Sequence, residues 1–324
     1  MARKVNHSLL NRAKASKKNE FYTLYPDIER ELKHYTSHFR DKVIYCNCDD
    51  ARTSNFYRYF ADNFKALGLR KLICSCYKKY DADLLNPSTE HGFCYVYTGR
   101  ENMIPNDDDI TDFDGDGDFR STESIELLRQ SDIVVTNPPF SLFREYICQL
   151  MRYGKKFLVI SNINAITYKE VFKLIQANKI WLGINFGRGI SGFIVPEDYG
   201  LYGTEAGIDA SGNRIISPNN CLWLTNMENS KRREFIPLTK TYSGHENEYP
   251  YYDNYPGING DRTQDIPADF SGAMGVPLSF LHRYSPEQFE ILGFRKGING
   301  RDLSIKGRCP YFRILIRNKN INLR

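Results

Sequence analysis

The residues from Asp132 to Phe140 join an apolar run to a polar corner that could do chemistry. The run Ile133 to Val135 is β-branched, which is typical of a parallel strand that is covered on both faces. Pro138 and the proline after it lack the N–H that a strand ladder requires, so the strand must end before them. Ligands of open α/β sheets bind at the carboxyl ends of the strands. We therefore expect Asn137 and Phe140 to lie at the edge of an active site.

The Asn-Pro-Pro-Phe corner suits methyl transfer to an amine whose lone pair is delocalised, such as the exocyclic amine of adenine. The side-chain oxygen of Asn137 and the backbone carbonyl of Pro138 could each accept one amine hydrogen. These two bonds would favour a tetrahedral nitrogen whose lone pair points at the methyl donor, while Phe140 stacks on the base. Positioning and electrostatics would supply most of the rate, so no strong base is needed. The alternative interpretation is a strand that ends in an ordinary proline turn.

The elements that must position this corner alternate along the chain between apolar runs and helical spacing. Strands are predicted at 42–48, 71–77, 93–98, 132–136 and 157–161, and helices at 27–39, 54–67, 121–129, 141–151 and 168–177. Ser121 is predicted to cap the third of these helices. The alternation predicts an α/β fold with a mostly parallel, doubly wound sheet and right-handed crossovers. Residues 242–270 are rich in Tyr, Asn, Asp, Gly and Pro, and we expect them to be irregular.

The Asn-Pro-Pro-Phe corner resembles motif IV of S-adenosylmethionine-dependent amino-methyltransferases. Four further stretches resemble the EcoRI-type adenine modification methyltransferases, namely Glu20–Glu29, Val43–Asp50, Gly117–Ser121 and Gly275–Leu281. The similarity covers nearly the whole chain. It implies a Rossmann-like S-adenosylmethionine-dependent methyltransferase fold with an appended DNA target-recognition region. It also implies a monomer that flips an adenine out of duplex DNA and methylates its N6 amine, within a palindrome such as GAATTC.

The same resemblance places the methionine part of the donor against Tyr22 and Thr23, and against Asp49 and Asp50 after the first strand. A carboxylate at this position can pair with the ammonium group of the donor. The turn at 46–54 reads Cys-Asn-Cys-Asp-Asp-Ala-Arg-Thr-Ser, which departs from the glycine-rich Phe-x-Gly-x-Gly pattern of most methyltransferases. The second strand ends in Ser-Cys-Tyr, where related enzymes usually have an acid that holds the ribose hydroxyls.

The resemblance also assigns the donor's adenine to Asp118, which would accept from its amine, and to Phe119, which would pack on its ring. The segment from Asp112 to Glu123 has a second interpretation, because it fits the calcium-loop template Asp-x-Asp-x-Asp-Gly-x5-Glu. A calcium loop of this kind needs a helix on each side, and Pro105 with consecutive acids argues against the upstream helix. We therefore expect no metal site here.

Eight cysteines occur in the chain, and four of them form two pairs spaced by one residue. Cys46 with Cys48, and Cys74 with Cys76, fall on predicted strands, where the period of two places each pair on one face. Cysteine behaves as a small hydrophobic residue in that setting. The spacing departs from the usual zinc patterns, and a disulfide framework is not expected in a chain this long without a secretion signal.

Charge is distributed unevenly along the chain, whose formal net charge is +5. Residues 1–20 form a basic arm that includes Lys14, Lys17 and Lys18, and the last thirty residues are also basic. Arg188 lies in a glycine-rich loop that could approach an extruded base. Basic termini and abundant aromatic residues suit double-stranded DNA as the partner. We expect three regions: the arm (1–20), a methyltransferase core (21–185), and remaining core strands with target recognition (186–324).

Other features of the sequence bear on its setting. We find no apolar run long enough to span a membrane and no secretory signal, so the expected location is the cytoplasm. A cognate restriction endonuclease could exist in the same system without forming a stable complex. Two alternative functions stay open: methylation of RNA or of a protein glutamine, and a catalytically silent DNA-binding protein. Donor binding would separate the silent protein from the enzymes, and substrate competition would separate the enzymes.

Overall fold

The computed structural model describes residues 21–77, 82–83, 86–87, 91–185, 189–197, 199–295, 303–309 and 312–321. The basic arm with Lys14, Lys17 and Lys18, and also Arg188, lie outside the described residues. The chain divides into two compact units. The first contains Met1–Tyr146 and Gly187–Cys221, and the second contains Ile147–Phe186 and Leu222–Arg324.

Seven α-helices occur in the described parts of the chain. They are α1 (Tyr25–Leu32), α2 (Thr36–Phe39), α3 (Asn55–Asp62), α4 (Phe64–Leu67), α5 (Thr122–Gln130), α6 (Phe143–Arg152) and α7 (Lys169–Gln176). Short 3-10 helices lie at Asp107–Asp109, Phe140–Leu142, Ile163–Thr167, Ser230–Arg233, Glu246–Glu248, Thr263–Asp265 and Leu278–Arg283. Among the described residues, no helix has the length and apolar character required to cross a membrane.

The described strands are mostly short. They are β1 (Tyr22–Thr23), β2 (Val43–Cys46), β3 (Lys71–Cys76), β4 (Ala82–Asp83), β5 (Asn86–Pro87), β6 (Phe93–Tyr97), β7 (Thr111–Asp112), β8 (Ile133–Thr136), β9 (Lys156–Asn162), β10 (Trp181–Leu182), β11 (Phe193–Val195), β12 (Gly207–Ile208), β13 (Arg214–Ile216), β14 (Cys221–Thr225), β15 (Tyr251–Tyr252), β16 (Tyr255–Asn259), β17 (Ala273–Val276), β18 (Phe289–Arg295) and β19 (Arg313–Asn318). Together with the helices they form a mixed α/β structure with several sheets.

The main sheet of the first unit places its strands in the order β8, β2, β3, β6, β7. Strands β8, β2 and β3 are parallel, with Ile44 of β2 between Leu72 of β3 and Ile133 of β8. These three residues are fully or almost fully buried, as the apolar runs predicted. Strands β6 and β7 run antiparallel instead. The sheet thus combines three parallel strands, as expected for a mostly parallel sheet, with two antiparallel strands at one edge.

A second, antiparallel sheet of the first unit has the order β1, β11, β13, β12. Tyr22 pairs with Ile194, and Thr23 pairs with Phe193. This pairing joins segments about 170 residues apart, so it could not be found from local periodicity. It fixes the start of the described chain beside the segment that follows residue 189.

Helix boundaries follow their capping residues. Ser54 accepts from the backbone N–H groups of Phe56 and Tyr57 at 3.1 and 3.2 Å, and it caps α3. Ser121 accepts from the N–H of Ser124 at 3.1 Å, so its predicted role as the cap of α5 is confirmed. The predicted helix 54–67 is divided at Asn63, which has non-helical dihedrals. The predicted helix 27–39 is likewise interrupted between α1 and α2.

The second unit contains the neighbouring strands β9, β14 and β10, in that order, and a five-stranded sheet in the order β15, β16, β17, β19, β18. The expectation that residues 242–270 are irregular was wrong in part, since β15 and β16 lie within them. Tyr252, on β15, is buried there, and its hydroxyl donates to Asn259 at 2.8 Å. Tertiary packing thus gives regular structure to a segment whose composition is typical of loops.

Candidate active site

The Asn-Pro-Pro-Phe corner follows directly on the last residue of β8, in the first unit. The amide nitrogen of Asn137 donates to the backbone carbonyl of Phe21 at 3.0 Å. The amide oxygen is buried and has no hydrogen-bond partner among the described residues. Leaving a buried acceptor unpaired destabilises a protein by about 1–3 kcal/mol. Such an atom is expected where a ligand supplies the missing donor.

The residues after Asn137 turn the chain away from the sheet. Pro138 is buried, and its carbonyl accepts no hydrogen bond from the described chain. Phe140 starts a 3-10 helix, which is closed by a bond from the N–H of Leu142 to the carbonyl of Pro139 at 3.0 Å. Phe140 is half-buried. Its backbone is held in the 3-10 helix, and part of its ring stays accessible. The predicted catalytic residues are therefore presented at one corner, with two acceptors available.

Asp49 lies just after β2 and is linked to the same corner. Its carboxylate accepts from the hydroxyl of Ser54 at 2.6 Å and from that of Thr136 at 2.5 Å. Burial raises its pKa to about 6, although the two hydroxyl donors act in the opposite direction. Thr136 immediately precedes Asn137. The carboxylate of Asp49 therefore bonds to the residue that directly precedes Asn137 at the end of β8.

Asp50 has a different environment from Asp49. Its carboxylate accepts from the backbone N–H of Arg52 at 2.9 Å and from the guanidinium of Arg52 at 3.1 Å. The same guanidinium pairs with Asp107 at 2.9 Å and lies 4.7 Å from the centre of the Phe93 ring. Asp50 thus helps to shape the turn. Of the two carboxylates, only that of Asp49 contacts the strand end that carries Asn137.

The predicted N-terminal residues of the site lie on β1. The backbone carbonyl of Thr23 accepts from the side chain of Asn55, the first residue of α3, at 2.9 Å. The hydroxyl of Thr23 is buried without a partner in the described part of the molecule. Because Ser54 both caps α3 and donates to Asp49, the start of this helix connects β1 to the buried carboxylate.

Asp118 and Phe119 are placed by a separate set of contacts. Phe119 is buried, and its ring meets that of Tyr146 edge to face at a centroid distance of 5.1 Å. The hydroxyl of Tyr146 donates to the side chain of Asn47 at 2.5 Å, which brings this pair to the end of β2. Arg120 donates to both carboxylate oxygens of Asp118 at 2.8 Å, and these bonds lower the pKa of Asp118.

The alternative calcium-loop interpretation of residues 112–123 finds no support in the local structure. The residues that lead into the loop form a 3-10 helix of three residues (Asp107–Asp109) and the two-residue strand β7, so the α-helix that the template requires is not formed there. The carboxylate of Glu123 accepts from the backbone N–H of Asp114 at 2.8 Å, and that of Asp116 accepts from the N–H of Asp118 at 3.0 Å. Within the described ranges, no group of three or more His, Cys, Asp or Glu side chains has a metal-binding arrangement.

The paired cysteines are free thiols inside the first unit. Cys46 and Cys74 are fully buried, and burial raises the pKa of both thiols well above their ordinary value. Cys46 and Cys74 also face each other across β2 and β3 in the parallel register. Cys46 and Cys74 therefore act as small core residues, as predicted. The prediction was wrong for Cys48, which lies beyond the end of β2, and Cys48 and Cys76 are only half-buried.

Several site residues were not identified from the sequence. Thr136, Ser54, Tyr146 and Phe21 each contact a predicted site residue, and Asn47 accepts from the hydroxyl of Tyr146. Only Ser54 carried a local signal, because a serine before a helical run is a typical N-cap. The other four act through contacts between distant segments, for which the sequence offers no periodic pattern.

Comparison with known proteins agrees with this geometry. The family model for the adenine-specific methyltransferase EcoRI matches residues 9–319. The chain is 60% identical to the Type II methyltransferase M.EcoRI of Escherichia coli over 325 residues, which covers 99% of both chains. It is 34% identical to the Type II methyltransferase M.MpnI of Mycoplasma pneumoniae, over 95% of this chain and 98% of that one.

A third relative, the Type II methyltransferase M.MgeORF184P of Mycoplasma genitalium, is also 34% identical, over 96% of this chain and 99% of its own. No solved structure matches the chain at a significant level. The family model matches nearly the whole chain, and the relatives match it over almost their full length. Both comparisons identify the same family. The chain belongs to the EcoRI family of adenine-specific methyltransferases, which are enzymes of restriction-modification systems that methylate adenine in DNA.

Proposed function

We propose that this enzyme transfers a methyl group from S-adenosylmethionine to the N6 amine of an adenine that is flipped out of duplex DNA, within the sequence GAATTC. The sequence assignment is supported by the 60% identity to M.EcoRI over 99% of the chain. The catalytic assignment is supported by one observation above all, the buried and unpaired amide oxygen of Asn137.

In this mechanism, the amide oxygen of Asn137 and the carbonyl of Pro138 each accept one hydrogen bond from the target amine. Withdrawing the hydrogens toward two acceptors reduces the delocalisation of the nitrogen lone pair into the ring. Phe140 stacks on the base and holds its plane, which replaces part of the stacking lost on flipping. Because the acceptors are fixed before the base arrives, no reorganisation is needed when positive charge develops on the nitrogen.

The residues present fit S-adenosylmethionine, which supplies an electrophilic methyl group when bound. Asp49 is the proposed partner of the donor's ammonium group, because its carboxylate is enclosed and carries no cationic partner among the described contacts. Tyr22, Thr23 and Asp50 are proposed to surround the methionine part. Phe119 is proposed to pack on the adenine of the donor, and Asp118 to accept from its amine while Arg120 keeps that carboxylate charged.

We further propose a Rossmann-like arrangement for the catalytic core. It is supported by the parallel strands β8, β2 and β3, because Asn137 follows the carboxyl end of β8 and Asp49 follows that of β2. The proposed regions are a basic arm (1–20), a core (21–185), and remaining core strands with target recognition (186–324). In this proposal Lys14, Lys17, Lys18 and Arg188 contact DNA, since lysine and arginine are the usual partners of phosphate.

The proposed enzyme acts as a monomer in the cytoplasm. This proposal is supported by the nature of the substrate and by the family. We also propose that a cognate restriction endonuclease exists in the same system. No stable complex between the two enzymes is proposed, because each can recognise the same DNA sequence separately.

The test is transfer of labelled methyl from S-adenosylmethionine to a duplex that contains GAATTC, with a scrambled duplex as the reference. Asn137→Ala is expected to lower the transfer rate by about 10²–10³-fold, the usual effect of removing one fixed polar group from such a site. DNA affinity should change little, because the flipped base is the only part of the DNA that the amide contacts in this mechanism. The matched control is Asn164→Ala, which removes an exposed asparagine of the second unit.

Each other outcome has a definite meaning. Full activity of Asn137→Ala would refute the assigned role of the amide. Labelling of RNA or of a protein glutamine in preference to the duplex would replace DNA as the substrate. If the protein binds DNA but no donor, it is the catalytically silent DNA-binding protein of the alternative interpretation.

A further inference from the structure

The side chain of Asn137 takes its orientation from a residue at the other end of the unit's sequence. A flipped amide would exchange its oxygen and its nitrogen, and would then present a donor to the target amine instead of an acceptor. The carbonyl of Phe21 can only accept, so its 3.0 Å bond to the amide nitrogen selects the productive orientation. The amide oxygen makes no bond to the described residues that could do this instead.

The position of Phe21 depends on residues 193–199. The ring of Phe21 meets that of Tyr199 edge to face, with a centroid distance of 5.4 Å and an angle of 84°. It also lies 6.0 Å from the ring of Phe193. The next two residues of the chain pair with Ile194 and Phe193 in an antiparallel register. The residue whose carbonyl accepts from Asn137 is thus held in place through its ring, which packs against Tyr199.

The backbone N–H and the backbone carbonyl of Tyr199 are both hydrogen-bonded. Its N–H donates to the carbonyl of Pro196 at 3.0 Å, which closes a turn after β11. Its carbonyl accepts from the guanidinium of Arg214 at 2.9 Å, and Arg214 lies on the neighbouring strand β13. Tyr199 is half-buried, and displacement of its ring would remove this contact from the ring of Phe21.

We infer that Tyr199 is a positioning residue for methyl transfer, which acts through Phe21 to hold the amide of Asn137 in its productive orientation. This inference rests on the proposed function, since it concerns the same amide. It also assigns a role to the segment that follows residue 189. That segment would control the transfer step itself in addition to any contact that it makes with DNA.

The experiment measures single-turnover transfer, with saturating S-adenosylmethionine and a GAATTC duplex, for wild type, Tyr199→Ala and Tyr199→Phe. Tyr199→Ala is expected to slow the transfer step by about 10- to 100-fold, because small misplacements of a catalytic group have effects of this size. Tyr199→Phe keeps the ring contact and should restore most of that loss. The dissociation constants of donor and duplex should stay near the wild-type values in both variants.

Tyr202→Ala is the matched control. Tyr202 belongs to the same aromatic group, with its ring 6.4 Å from that of Tyr199, and no ring contact joins it to Phe21 in the described structure. It should leave the transfer step near the wild-type rate. An equal loss in Tyr202→Ala and Tyr199→Ala would overturn the inference, because the effect would then follow general packing. If Tyr199→Ala does not fold, as judged by its unfolding curve, Tyr199→Leu removes the aromatic contact with less change in volume.

A double-mutant cycle gives the decisive result, since residues that act through one another are not additive. If Tyr199 acts through Asn137, Tyr199→Ala should have almost no further effect in the Asn137→Ala background. Fully additive losses would overturn the inference. A wild-type enzyme that transfers no methyl group would refute the proposed function instead. A wild-type enzyme that transfers normally, together with an unimpaired Tyr199→Ala, would refute only the role of Tyr199.

Discussion

Replacing Asp49 with asparagine should make the ligand-free protein more stable at neutral pH while it weakens donor binding. Burial raises the pKa of this carboxyl from an ordinary value of 3.8 to about 6. The folded protein therefore holds the proton more tightly than the unfolded chain does. The resulting contribution to stability is present at low pH and is lost as the pH rises through about 6. Asparagine cannot ionise, so the variant escapes this loss.

The size of the effect follows from the same pKa. Each tenfold change in a proton equilibrium corresponds to about 1.4 kcal/mol, so the full loss above pH 7 is at most about 3 kcal/mol. This is an upper bound, because Asp49 keeps part of its surface in contact with solvent. Between pH 4.5 and pH 7.5, the stability of Asp49→Asn relative to wild type should rise by about 2 kcal/mol.

The assay is urea unfolding of both proteins at these two pH values, without donor. Comparing the two pH values removes any constant effect of the amide on the hydroxyls of Ser54 and Thr136. Calorimetric titration with S-adenosylmethionine completes the test. Affinity of the wild type should increase as the pH rises through about 6, since the carboxylate then carries its charge, and Asp49→Asn should lose this increase.

The matched control is Asp50→Asn, which neutralises the adjacent carboxylate that pairs with Arg52. It should give no gain in stability at pH 7.5. The reasoning is refuted if Asp49→Asn is destabilised by the same amount at both pH values, because the ionised carboxyl would then carry no penalty in the folded protein. Unchanged donor affinity in Asp49→Asn would remove this residue from the proposed donor site.

Two further substitutions test neighbouring parts of the site. Ser54→Ala removes the cap of α3 and one donor to Asp49, so the free energy of unfolding measured in urea should fall by about 1 kcal/mol. The pKa of Asp49, followed by NMR titration, should rise further, and an unchanged value would contradict the bond. Phe140→Ala should weaken the stacking of the flipped base by about 1–3 kcal/mol. Fluorescence of 2-aminopurine at the target position measures this loss, with Phe140→Tyr as the control, and equal flipping by all three proteins would contradict it.

The sequence predicted the parts of the structure that depend on local pattern. Residues 133–136 form a buried strand that ends directly before Asn137. Ser121 caps the helix that its position predicted. The strands 43–46 and 71–76 lie within two residues of their predicted limits. In each case, burial of alternating or continuous apolar residues determines the element, and the residues concerned are neighbours in the chain.

The remainder of the site depends on contacts that no local pattern encodes. The bond from Asn137 to Phe21 and the pairing of Thr23 with Phe193 join segments more than a hundred residues apart. The antiparallel direction of β6 could not be predicted, because the apolar content of a strand does not reveal its direction. The carboxylates of Asp49 and Asp50 are adjacent in sequence, yet only the structure separates the enclosed one from the one that pairs with arginine.

The pairing of β1 with β11 also has a consequence during synthesis of the protein. The ribosome must add about 170 residues after Thr23 before its partner Phe193 exists. At about 5–20 residues per second, this interval lasts roughly 10–30 s. Throughout that time, Phe21, whose carbonyl accepts from the amide of Asn137, lacks the strand that pairs with the two residues after it. The pairing next to Phe21 can therefore form only after Phe193, at about three fifths of the chain, has been made, however early the parallel strands collapse.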